Sequence, residues 1–504
     1  MITRAHTVAF EGFEPREITL ECAIMPGLPQ FTIVGLPDKA LSEAKERIRA
    51  ALSAMVIALP SKRITINLIP ADVPKMGSHF DLAIALAMLA ALEIIPAEDV
   101  AEAVSLGELS LDGRLNPVIG ALPAALHAAE TEKALFCPQE CGAEAAWVDG
   151  TQVIAARSLM ALIQHLKGTR PIEAAHPGDV IAHAGLKDMQ DVKGQERAKR
   201  ALEIAAAGRH HLLVVGPPGS GKSMLSARLP GLLPNMSPLE ALETSIIKSL
   251  SGAINKGGIE RSRPFREPHH TASMAALIGG GRHAKPGEIS LAHNGVLFLD
   301  EFPEFPRFVL DALRQPIETG EVIISRANAH IKYPCKFLLL AAANSCKCGY
   351  LSDPDRACSR APLCGQDYMG RISGPLMDRF DIRIEVPAVA FQDLDAPALG
   401  ERTQNIAERV LTAREMQAKR FETYKEITTN ADASGQILET CITLARPEKD
   451  FLVQVAEKFK FSARAFHRIL RVSRTIADLD GSSDIERPHL AEALSFRLMT
   501  AVES

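Results

Sequence analysis

The chain has 504 residues, 47% of them hydrophobic and 23% charged, with a formal net charge of −5. That length suffices for about three domains with substantial cores, and the composition is ordinary for a soluble globular protein. With no global basic field, any nucleic-acid contact has to be local, in a pore or a groove.

The first residues carry no apolar signal core. The most hydrophobic segment, Leu82 to Leu92, is too short to cross a bilayer and reads as a buried helix, so a cytoplasmic protein without a membrane partner is expected. Nine cysteines in such a chain are expected as reduced thiols or metal ligands, not disulfides. Residues 1–168 mix short strand-like runs (Phe31 to Gly35, Arg63 to Leu68) with helical ones (Lys39 to Leu52, Phe80 to Leu92), which predicts an α+β domain. Pro74 to Asp81 and Leu106 to Arg114 resemble the proteolytic domain of the Lon family, in which a serine activated by a lysine performs acyl transfer. Superposing the motifs sets His79 where the serine belongs and Ala125 where the lysine belongs, with Ser78 one residue out of place. The resemblance therefore implies a degenerate, non-proteolytic module for docking or oligomerisation. Residues 169–185, rich in Gly and Pro without periodicity, read as a linker.

From 186 to 394 strands alternate with helices, which predicts a parallel sheet with crossover helices. Its centre is a buried-strand run, His211 to Val215, followed by Gly216-Pro217-Pro218-Gly219-Ser220-Gly221-Lys222-Ser223 and then a helix. Glycine, four free positions, glycine, lysine and hydroxyl is the phosphate-loop pattern. Glycines let consecutive N–H groups converge on phosphate oxygens, and the helix N-terminus adds partial positive charge. Lys222 is expected on the β- and γ-phosphates of ATP and Ser223 on Mg²⁺. Gly295 to Glu301 is an apolar run ending in two acids, as a buried parallel strand does where ligands bind. Asp300 is expected to hold Mg²⁺ and Glu301 to orient and deprotonate water. The strand Phe337 to Ala343 ends in Asn344, placed to sense the γ-phosphate.

Val192 to Gln195 with the helical run behind it resembles the adenine-side entry of AAA+ ATPases. In such rings an arginine in the position of Arg379, with Arg371 as the alternative, reaches the neighbouring subunit's site. His269-His270-Thr271, Gly279-Gly280-Gly281, Pro286 to Gly295 and Ser373 to Asp381 resemble the magnesium-chelatase-like AAA+ proteins. With the Lon-like domain in front, the whole chain resembles their ComM/YifB branch. That resemblance implies a hexameric ring driving branch migration of single-stranded or branched DNA in recombination and natural transformation. The alternative it leaves open is a chelatase-type motor acting on a protein partner or a metal-insertion complex.

Two segments are candidates for DNA contact, each with a solvated loop as the alternative. Glu318 to Ile331 reads as paired strands carrying Ser325, Arg326 and His330, and Lys256 to Arg266 as a basic insertion between helices. Cys346, Cys348, Cys358 and Cys364 fall in a loop of Gly, Pro, Asp and Arg and offer four thiolates to a structural Zn²⁺, reduced thiols being the alternative. From 395 to 504 the chain turns helical (Thr403 to Arg420, Lys449 to Phe459, Ala463 to Leu479, Arg487 to Val502), predicting a lid bundle. Ser462 is the expected N-cap of the third helix. Arg464 behind it is either a γ-phosphate contact or a surface arginine, and Arg468, Arg471 and Arg474 line an interface, a DNA path or a solvated face.

Overall fold

The structure is a computed structural model and describes residues 2–35, 38–75, 77–181, 187–254, 257–281, 284–326, 329–351, 356–388, 400–424 and 426–497. The N-terminal domain is a seven-stranded mixed sheet in the spatial order Gln30–Val34, Arg63–Ile69, Glu14–Met25, Ile2–Glu11, Ala103–Ser105, Ala134–Pro138, Val153–Ala156. The long hairpin Ile2–Glu11/Glu14–Met25 is antiparallel, while the last three strands join in parallel. The apolar run after Phe80 becomes the helix Asp81–Ala91, buried over ten consecutive residues. A helix apolar all round must lie inside the core, and this one packs on the hairpin. Helix Asp38–Ala54 covers its other side through Ile48, Ala51 and Leu52.

The central sheet is five-stranded and wholly parallel, in the order Phe265–Arg266, Val296–Leu299, Leu338–Ala343, Leu212–Val215, Ile382–Glu385. Helices on both faces bury a parallel sheet, so its inner strands are unbroken apolar runs; every residue of Val296–Leu299, Leu338–Ala343 and Leu212–Val215 is buried. Their alternate side chains feed two cores. One continues into the N-terminal domain through Val8, Leu122 and Ala125, and the other into the C-terminal helices.

The C-terminal helices Thr403–Arg420, Arg446–Lys458, Ala463–Leu479 and Arg487–Ser495 form a bundle; the first and third match the expected bounds throughout, the second begins three residues early, and the fourth begins as expected but ends at Ser495. Ser462 Oγ accepts from Ala465 N at 3.2 Å, as expected of an N-cap. The bundle seats on the sheet-flanking helix Glu196–Gly208, with Gln417 Nε2 donating to Ala207 O at 3.0 Å and Arg414 donating to Ala206 O.

The structure revises several expectations. The segment after Lys167 is pinned as far as it is described: Ala175 N donates to Val153 O, Gly178 N to Ala143 O, and Val180–Ile181 pairs with Ile259–Glu260. The remaining linker positions 182–185 and the boundary near 394 lie outside the described residues. The basic segment is not an insertion between helices, because Phe265–Arg266 is the edge strand of the central sheet. Two of its arginines are used internally, while Arg261 is exposed: Arg263 holds Glu240 and the carbonyls of Pro234 and Asn294, and Arg266 grips Glu288 with two hydrogen bonds. Lys256 lies outside the described residues. Glu318 belongs to the helix Arg314–Thr319, and the hairpin itself is Glu321–Arg326 paired antiparallel with Ala329–Pro334. Among the described residues no helix is long and apolar enough to cross a membrane.

Candidate functional site

The loop Gly216–Ser223 leaves the carboxyl end of Leu212–Val215, and the helix Lys222–Ser226 begins within it. Gly216 is dictated by space, since a Cβ there would sit 2.2 Å from Val386 O. Gly219 and Gly221 have φ of +76° and +86°, and a Cβ at Gly219 would meet nothing within 4 Å. The loop is thus closed towards the sheet and open on its concave side, the shape a phosphate fills.

Lys222 Nζ donates to Gly216 O (2.9 Å), Pro217 O (2.8 Å) and Asn344 Oδ1 (3.1 Å). These oxygens stand in for phosphate oxygens around the ammonium. Burial lowers the Lys222 pKa, and the Asp300 carboxylate opposes that. Ser223 Oγ donates to Asp300 Oδ2 at 2.7 Å, so one hydroxyl and one carboxylate adjoin the lysine, a hard oxygen set that suits Mg²⁺. The residues present fit ATP with Mg²⁺.

Glu301 follows in the left-handed region at φ +50°, its N–H donating to Asp300 Oδ1 at 2.8 Å. This kink turns two successive carboxylates to different tasks. Glu301 Oε2 lies 3.2 Å from His270 Nδ1. His270 and Glu267 are members of the site for which sequence spacing assigned no task. Burial first and Asp300 second push the Glu267 carboxyl up. The His-His pair was visible as a motif, but nothing in its spacing tied it to Glu301; the adjacency of the Phe265–Arg266 and Val296–Leu299 strands does that.

Arg379 and Arg464 are not beside this phosphate loop. Both line a cavity of about 430 Å³ with Arg209, Lys336, Arg468 and Arg471. The cavity also includes His211, Phe337 and Asp381, which precede strands of the sheet, whereas Lys222 and Asn344 follow strands. Strands of four to six residues separate the two ends by roughly 13–20 Å. Arg379 is 5% exposed and pairs with Glu318, yet its Nε and Nη1 have no hydrogen-bond partner. Arg468 is 8% exposed, with Nε and Nη1 likewise unpartnered and Asp381 3.8 Å away. Buried donors without acceptors are costly, and here they lie in a cavity that Glu318, Asp381 and Asp432 line together with the arginines. Arg371 instead pairs with Glu304 at 3.2 Å, and Arg474 is held by Asp478 and the carbonyls of Ser482 and Ser483. Arg474 is therefore structural and lines neither a solvated face nor a DNA path.

The sulfurs of Cys346, Cys348 and Cys364 converge within 4.8 Å of one another, with Cys346 and Cys348 Sγ 3.0 Å apart. Cys358 is not in that mutually close set of three but interacts with its rim: Cys346 first lowers the Cys348 thiol to about 7, and Cys358 first raises Cys364 to about 12. Zn–S bonds of about 2.3 Å demand S···S spacings near 3.8 Å, within reach of this cluster. The other five cysteines are free thiols.

The hairpin places Ser325 opposite His330 and Arg326 opposite Ala329; the side chains of Ser325, Arg326 and His330 lie outside the described residues. In the N-terminal domain His79 is enclosed, with Nε2 3.0 Å from Val8 O, and burial drives its imidazole down to about 4. Ala125 is buried in helix Ala121–Glu130, and Ser78 Oγ donates to Glu108.

Comparison with known proteins agrees with this anatomy. Residues 188–394 match the family described as magnesium chelatase, subunit ChlI; residues 20–141 match subunit ChlI of Mg-chelatase, and residues 400–497 the ChlI C-terminal family. The chain is 44% identical to the competence protein ComM of Haemophilus influenzae over 97% of its own length and 96% of that protein. It is 43% identical to YifB of Escherichia coli, over 98% and 96% of the two chains. Similarity to the magnesium-chelatase 38 kDa subunit of Rhodobacter capsulatus is 24% identity over 61% of this chain and 86% of that subunit. The parallel sheet, its phosphate loop and the full-length likeness to ComM and YifB together make this chain a member of the ComM/YifB magnesium-chelatase-like AAA+ ATPases.

Proposed function

We propose that this protein is a ring-forming, Mg²⁺-dependent ATPase of the cytoplasm that moves along single-stranded or branched DNA. Branch migration in homologous recombination and natural transformation is the proposed setting. The observation that carries the ring is the position of Arg379 and Arg464: both line an arginine-bearing cavity at the strand ends opposite Lys222. A residue so placed serves the site of a second chain more readily than its own, and copies repeated head to tail form a ring where the rotation between them closes. The hexamer is the ring size proposed.

Within one chain, Lys222 exchanges Gly216 O and Pro217 O for phosphate oxygens, and Ser223 and Asp300 hold Mg²⁺. Mg²⁺, when bound, supplies charge neutralisation across the phosphates. Glu301, oriented by His270, accepts the proton of the attacking water, while Asn344 aligns it. Arg379 from the next chain offers its unpartnered nitrogens to the charge that develops on transfer, and Arg464 joins it from the same cavity. The hairpin carrying Ser325, Arg326 and His330 is the proposed DNA contact, reading phosphates without sequence preference. Cys346, Cys348, Cys358 and Cys364 are the proposed structural Zn²⁺ ligands.

The relative's printed name, a competence protein, supports the DNA reading. A branch-migration assay on a synthetic four-way junction tests it, with Lys222→Ala and Glu301→Gln as controls. Dissociation of the junction into its duplex products that needs ATP and both residues is expected. ATP turnover indifferent to junction and single-stranded DNA would overturn the DNA reading in favour of a chelatase-type motor on a protein partner.

A further inference from the structure

The cysteine cluster is joined to the nucleotide site at two points. Asn344, whose Oδ1 accepts from Lys222 Nζ at 3.1 Å, lies two residues before Cys346. Gly349, one residue past Cys348, faces the phosphate loop itself: a Cβ there would stand 2.4 Å from Pro218 Cγ and 2.5 Å from Cδ. Backbone and proline ring are therefore in direct contact, and φ of +85° at Gly349 makes the turn that achieves it. The second half of the cluster closes on the same turn, since a Cβ on Gly365, next to Cys364, would be 2.6 Å from Leu351 Cδ2 and 3.1 Å from Ser345 O.

Within residues 346–351 Cys346 and Gly349 are buried while Lys347 and Cys348 are exposed, so the turn rests on a few contacts between its exposed thiol and its buried glycine. A metal bound by thiolates drawn from both ends of the loop would order it, at the release of thiol protons to solvent. We propose that Zn²⁺ on Cys346, Cys348, Cys358 and Cys364 clamps Gly349 against Pro218 and so holds the phosphate loop in its nucleotide-binding shape. The cluster then sets nucleotide affinity without touching nucleotide. This inference rests on the Zn²⁺ reading above and adds the coupling to it.

The test uses the full chain, with zinc content measured by elemental mass spectrometry and affinity by titration with a fluorescent ATP analogue. The expected result is one zinc per chain, with nucleotide affinity falling roughly tenfold on chelation, about 1.4 kcal/mol, and recovering when Zn²⁺ returns. Cys348→Ser and Cys364→Ser reproduce the loss. Gly349→Ala separates clamp from metal: it keeps its zinc and still binds nucleotide more weakly. Lys222→Ala keeps its zinc and loses nucleotide. Where a cysteine variant fails to fold, reversible chelation of the unaltered chain decides. Absence of zinc at micromolar Zn²⁺ overturns both the metal and the clamp. Zinc that leaves with no change in nucleotide affinity overturns the clamp alone.

Discussion

Lys222 Nζ and Asn344 Oδ1, 122 positions apart in the chain, lie 3.1 Å from one another because their strands are parallel neighbours in the central sheet. Val215 pairs with Ala343, so the residues that follow leave the sheet at one level. Lys222→Ala is expected to abolish nucleotide binding and turnover together. Asn344→Ala should retain binding and lose roughly 10²- to 10³-fold in kcat, as for one removed transition-state donor. Steady-state kinetics beside equilibrium binding separates the two.

Glu301→Gln keeps the shape and removes the base. Turnover should fall about 10²- to 10⁴-fold with nucleotide still bound. His270→Ala, which frees the Glu301 carboxylate from its 3.2 Å partner, should lower kcat by less and leave KM for ATP in place. A rise in KM alone would mean that His270 serves binding.

Arg379→Ala should reduce kcat roughly 10³-fold or more, the range for an arginine supplied in trans. The decisive measurement is a mixture. A chain with Lys222→Ala keeps its Arg379, and a chain with Arg379→Ala keeps its phosphate loop. Blending two inactive preparations should restore part of the activity. No recovery, with mixed assemblies confirmed by native mass spectrometry, would place the finger elsewhere.

His79 makes the N-terminal domain acid-sensitive. Its folded pKa of about 4 lies below the unfolded value of 6.5. The unfolded chain therefore takes up the proton first, and the contribution is complete above pH 6.5 and lost as pH falls towards 4. The full span corresponds to about 3 kcal/mol. Thermal melting of the unaltered chain should drop over this window, and His79→Leu should show a shallower slope there, whatever its absolute stability.

Much of the site was legible in the chain because its parts are local. A phosphate loop needs glycine, lysine and hydroxyl at fixed spacing, and a buried parallel strand needs an unbroken apolar run, as in Val296–Leu299 ending at Asp300. The helix Ala463–Leu479 could likewise be placed from its 3.6-residue periodicity and the Ser462 cap. Such signals depend on backbone geometry over a few residues, which side-chain types alone determine.

The arginines were not legible in this way. Arg263, Arg266 and Arg474 look like exposed basic residues, yet Glu240, Glu288 and Asp478 neutralise them across gaps of 23, 22 and 4 positions. Arg379, read as a finger, is placed by the turn that leads into the sheet strand Ile382–Glu385, and Arg464 by the packing of Ala463–Leu479 against Glu196–Gly208. Charge in a sequence has sign but no direction. Only the tertiary fold decides which nitrogens of a guanidinium a carboxylate satisfies: Glu318 takes one side of Arg379 and leaves Nε and Nη1 unpartnered, and Asp381 stands 3.8 Å from Arg468 without a hydrogen bond.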